Sequence, residues 1–102
     1  MAIEITARHM HATVPLQEYA RRKAEALMGE FSRVEHVHVI LDVQKHLNIA
    51  EVVVQARNRV RSEARHESDN MQVSTDAAFD KAEKQLRRQR DKVQDHRTRP
   101  RV

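Results

Sequence analysis

The stretch HVHVILDVQ, residues 36–44, alternates without a break. Val37, Val39, Leu41 and Val43 fall on one side, and His36, His38, Ile40 and Asp42 on the other. A period of two held over nine residues describes an extended strand with one apolar face, and that face needs neighbours and a cover. EVVVQAR repeats the pattern with Val52, Val54 and Ala56 against Val53 and Gln55. VRSEARHE sets Val60, Ser62 and Ala64 against Arg61, Glu63, Arg65 and Glu67. The connecting segments KHLNI and NR are short, so the three runs form an antiparallel meander.

The periodicity is different on either side of the meander. After a short alternating run at Ala2–Ala7, with Ile3, Ile5 and Ala7 on one face, LQEYARRKAEALMGEF has helical spacing. Its apolar side is Leu16, Ala20, Ala24, Leu27, Met28 and Phe31. Thr13 is a cap, Pro15 belongs to the first turn, and Gly29 is a candidate terminator. From Ser74 the helical pattern returns, with Phe79, Ala82, Leu86 and Val93 as its stripe and Asp76 and Asp80 in its first turn. Arg90 interrupts the stripe: either its stem snorkels along the apolar side, or the helix there has passed beyond the sheet.

The order is β-α-β-β-β-α. The first crossover is long enough to return parallel and right-handed. The expected fold is an α+β two-layer sandwich, a four-stranded mixed sheet with two helices packed on one face. At 102 residues this is a single domain, placed at 1–96, followed by a basic, flexible tail at 97–102. The uncovered face (Glu4, Thr6, Arg8, His36, His38, Asp42, Glu51, Gln55, Arg61, Glu63, Arg65, Glu67) is mixed in charge and solvated.

Charge is unevenly distributed. Residues 81–102 hold nine Lys/Arg against Glu83, Asp91 and Asp95, while the whole chain is only +4. A localised positive surface suits a polyanion. Arg21, Arg22 and Lys23 on the first helix and Lys81, Lys84, Arg87, Arg88 and Lys92 on the second are its phosphate-binding candidates. The only aromatics, Tyr19, Phe31 and Phe79, lie off the strands, so bases cannot stack on the sheet. One glycine cannot build a GXXG clamp or a glycine-rich phosphate loop. Recognition is therefore electrostatic and by shape.

Catalysis finds little support. There is no cysteine and no carboxylate or serine constellation. His9-x-His11 and His36-x-His38 lack the carboxylate or thiolate partners that complete metal sites, so no metal or cofactor is expected. No signal-like segment or apolar run of spanning length occurs, which points to a cytoplasmic protein with no membrane partner and no small-molecule substrate.

Three stretches resemble one family. ITARHMHAT is similar to its first strand and exit, LQEYARRKAEAL to its first helix, and NMQVSTDAAFDKAEKQLRRQRDK to its last helix, with Asp76, Asp80-Lys81 and Gln85-Leu86 in register. This is the ribosome hibernation promoting factor family, which includes ribosome-associated inhibitor A and carries the older label sigma-54 modulation protein. The resemblance spans nearly the whole chain. It implies binding to the small ribosomal subunit, in the channel of mRNA and tRNA, with rRNA contacts from both helices. Translation is then blocked, and inactive, dimeric ribosomes are promoted in stationary phase or stress.

By position, Lys23, Lys81, Lys84, Arg87, Arg88, Arg90 and Lys92 match the family's basic residues, whereas Arg21 and Arg22 rest on charge alone. Asn70-Met71-Gln72 stands where the family often has Asp-Met-Tyr. The chain resembles the short form, which works with a separate ribosome modulation factor. The competing readings are a protein-interaction module that modulates a sigma factor, and a generic structured-RNA binder.

Overall fold

The computed structural model describes residues 2–98, with side chains described for these except Asn58 and residues 90–98. Four strands form one sheet in chain order: β1 (Ala2–Arg8), β2 (Val34–Gln44), β3 (Leu47–Ala56) and β4 (Arg61–Ser68). β1 lies parallel to β2, with Ile5 beside Val39, and the other pairings are antiparallel. Helix α1 (Val14–Glu30) covers β1 and β2, and α2 (Met71–Thr98) covers β3 and β4. The expected α+β mixed-sheet sandwich is the observed one.

The alternation in β2 does what its spacing dictates. Val37, Val39 and Leu41 are fully buried, and across the ladder they face Val54, Val52 and Ala50, buried equally. Ala20, Ala24 and Leu27 from α1, and Ala78, Phe79, Ala82 and Leu86 from α2, close this layer from above. Small alanines at the contact positions let both helices sit close to a sheet of branched side chains.

Three of the differences from the sequence reading at element ends have a local cause. β3 begins at Leu47 and not Glu51, because Lys45 adopts φ 56 and a two-residue turn pairs Gln44 with Leu47. α2 begins at Met71, where Asn70 Oδ1 accepts from the backbone N–H of Gln72 at 2.9 Å and Val73 at 3.1 Å. Asp76 and Asp80 therefore lie beyond the first turn, and asparagine performs the capping. Gly29 remains helical and does not end α1, since Phe31 is the C-terminal cap. Thr13 caps as expected, its hydroxyl accepting from Leu16 N at 3.3 Å.

Tyr19 and Lys23 near the start of α1 meet Asp76 near the start of α2, and Glu30 meets Arg87 further along. The helices thus run side by side in the same direction. Gln89, three residues after buried Leu86 and seven after buried Ala82, continues the inward side of α2 yet is exposed. The sheet therefore stops supporting the helix there, while its backbone continues to Thr98, about 18 Å beyond Leu86. The expectations for Arg90 and Val93 fall on side chains outside those described; of the tail placed at 97–102, residues 97–98 have helical backbone in α2 and 99–102 lie outside the described residues.

Candidate nucleic-acid interface

Helical spacing sorts the basic side chains of α2 into three directions. Lys84 and Arg88 lie opposite the Ala78–Ala82–Leu86 stripe and are exposed. Among the described residues neither has an ion-pair partner. Lys81 leans the other way, over the outer edge of the sheet, where Nζ donates to the carbonyl of Arg65 at 2.9 Å. Gln85 donates to the carbonyl of Glu63 at 3.1 Å and accepts from the hydroxyl of buried Ser62. These contacts occupy outward carbonyls of β4, an edge strand otherwise open to pairing.

Arg87 faces α1. Its Nη2 donates to Glu30 Oε2 at 3.0 Å and also to Glu83. The Glu30 hydrogen bond, followed by the charge of Glu83, raises the guanidinium above its usual range, so the cation is firmly held. Lys23 lies 3.4 Å from Asp76 and 5.9 Å above the Tyr19 ring. The phenol of Tyr19 donates to Asp76, which raises its pKa above the ordinary value of 10.0. The seam between the helices is thus charge-compensated.

Arg22 is exposed beside Glu18 at 3.8 Å, and Arg21 lies on the α1 flank away from Tyr19 and Lys23. Lys84 and Arg88 therefore present unpaired charge outward, Arg22 does so beside Glu18, and Lys23, Lys81 and Arg87 are held by existing partners. Arg90 and Lys92 belong to the α2 overhang, with side chains outside those described.

Four further cations share one end of the sheet: Arg33 ahead of β2, and Arg57, Arg59 and Arg61 around the β3–β4 turn. The backbone N–H of Arg57 donates to the carbonyl of Arg33 at 2.9 Å, tying the two segments together. RNRVR, three arginines in five residues, was the available signal, masked because it reads as a turn between strands.

The uncovered face is more ordered than its charge pattern implies. Asp42, only 8% exposed, accepts from His9 Nδ1 at 2.9 Å and from Gln44 at 3.2 Å. The His9 bond leads in lowering its pKa below the ordinary carboxylate value. Thr6 Oγ1 and His38 Nε2 are 2.7 Å apart, and Glu4 lies 3.6 Å from His36 and 4.0 Å from His38. Among the described residues no group of three or more metal-ligating side chains converges.

A family model described as sigma 54 modulation protein / S30EA ribosomal protein matches residues 3–94. The chain belongs to this family. Ribosome hibernation promoting factor of Pseudomonas putida is 30% identical over 95 residues, covering 92% of this chain and 91% of that protein. The protein of that name from Salmonella typhimurium is 30% identical over 96 residues, covering 94% of this chain and 100% of its own length.

A ribosomal subunit interface protein from Coxiella burnetii superposes with a TM-score of 0.82 at 23% identity, covering 89% of this chain and 99% of its own. The N-terminal domain of Protein Y from Thermus thermophilus gives 0.76 at 22%, covering 86% and 98%. At these identities the two structures establish the fold. The sigma 54 modulation protein / S30EA family consists of ribosome-associated hibernation factors, which act by binding and not by catalysis. No helix among the described residues is long and apolar enough to cross a membrane.

Proposed function

We propose that this protein silences translation by binding the small ribosomal subunit, where its basic helices contact rRNA in the channel used by mRNA and tRNA. The observation that carries the reading is its correspondence, over nearly the whole chain, with proteins named ribosome hibernation promoting factor. The geometry is consistent with that role. Lys84 and Arg88 stand exposed on α2, Arg22 on α1, and the α2 overhang can enter a groove that the globular part cannot. Phosphates bound there release counterions, so affinity falls steeply with salt. No Phe, Tyr or Trp lies on a strand, which favours recognition of rRNA shape over base readout. In this reading the protein acts in the cytoplasm on ribosomes of stationary or stressed cells, and a separate ribosome modulation factor joins it to pair them.

Cosedimentation with small subunits across a salt series tests the core of the proposal. Binding at low salt that weakens as salt rises is expected, and Lys84→Glu with Arg88→Glu should reduce it by about tenfold or more. Absence of binding at low salt, or indifference to salt, overturns it. Sucrose-gradient profiles with and without the protein distinguish paired ribosomes from inactive monomers.

A further inference from the structure

We propose that the arginine end of the sheet, Arg33, Arg57, Arg59 and Arg61, is a second RNA-phosphate site that works with the α2 overhang as two walls of one basic corner. This rests on the ribosome-binding reading and extends it to residues outside both helices.

Three observations carry it. The first is placement. The carbonyl of Arg33 holds the N–H of Arg57 at 2.9 Å, so the α1–β2 junction and the β3–β4 turn form one end surface. Ser62 and Glu63, next to Arg61, bond Gln85 of α2, and Glu30, three residues before Arg33, bonds Arg87. That end therefore lies beside the place where α2 loses the sheet, after Leu86. A helix projecting past a sheet end makes a re-entrant corner, and its sheet wall carries the four arginines.

The second is charge availability. Arg57 stands 3.9 Å from Glu35, and Arg61 2.9 Å from Glu63. Arg33 and Arg59 are exposed, and among the described residues no carboxylate pairs with either. Arg59 also lines a shallow concavity with Glu35, His36, Gln55 and Ala56. Two uncompensated guanidiniums flanked by two compensated ones leave the surface net positive, and guanidinium forks match phosphate oxygens.

The third is backbone conformation. Arg59 adopts φ 63, left-handed geometry that suits glycine or asparagine and is costly for a residue with a Cβ. Residues with a Cβ hold the same geometry at His9 and Lys45, so it does not by itself call for a ligand; here it fixes the backbone of the turn that presents the exposed Arg59 side chain.

The test uses the full chain and purified small subunits. Arg33→Gln with Arg59→Gln should lower affinity about tenfold in moderate salt and reduce the log–log salt slope by about two, one per lost contact. Arg59→Gly separates charge from folding: it relieves the strained turn, so its thermal midpoint should stay or rise while its affinity falls and its salt slope drops by about one. Unchanged affinity and slope in the double variant, with the wild type binding in a salt-dependent manner, overturn the second site and leave the ribosome reading intact. A wild type that binds no subunits overturns both.

Discussion

Arg87 Nη2 lies 3.0 Å from Glu30 Oε2, and that contact joins the last turn of α1 to the middle of α2. Glu83, one turn earlier on α2, holds the same guanidinium. The most strongly anchored cation of the basic helix is thus already neutralised, and RNA must compete with two carboxylates to use it. Glu30→Gln with Glu83→Gln should therefore raise affinity for a plain RNA duplex several-fold, measured by filter binding. The thermal midpoint should move little, because exposed ion pairs add little to stability.

Lys81 and Lys84 differ by less than one helical turn but have different roles. Lys81→Met loses the bond to the Arg65 carbonyl and bares part of the β4 edge, so its expected signature is self-association at high concentration. Lys84→Met leaves the edge intact and should reduce the salt slope of ribosome binding by about one. Analytical ultracentrifugation and the salt series together separate the two.

Asp42 gives a pH signature. Its folded pKa is depressed, chiefly by the hydrogen bond from His9, so its contribution to stability is present above the unfolded value of about 3.9. It is lost as pH falls through the lower folded value. Carboxyl NMR titration should place Asp42 below the usual aspartate range, and His9→Ala should move it back up. An Asp42 midpoint unaffected by that substitution would count against the pair.

Stability should respond most to the centre of the sheet. Leu41 is fully buried in β2. Leu41→Ala should cost about 2–5 kcal/mol in urea unfolding. Asn70→Ala removes both side-chain bonds at the α2 start and should cost about 1 kcal/mol. Neither substitution should alter the salt slope at concentrations where the protein stays folded.

The sequence by itself determined the layers. Val37, Val39 and Leu41 could be placed inside, and Ala20, Ala24, Ala82 and Leu86 against them, because periods of 2 and 3.6 admit one buried side each. The family was also legible, since its motifs are contiguous. The start of α2 was misplaced because Asn70 caps through a local side-chain bond that apolar periodicity does not register. The start of β3 is not visible in the alternation because a left-handed Lys45, in a conformation that favours glycine or asparagine, closes a two-residue turn.

What only the tertiary structure decided was the state of each charge. Composition counts Lys81, Arg87 and Lys23 alike with Lys84 and Arg88. Packing α2 between the β4 edge and α1 brings a backbone carbonyl to Lys81, Glu30 to Arg87 and Asp76 to Lys23, and leaves the other two in water. The same packing carries α2 past the end of the sheet beside Arg33 and Arg59, which lie far apart in sequence. Electrostatic neighbours are set by distances through space, and a linear pattern fixes those distances only within one helix or strand.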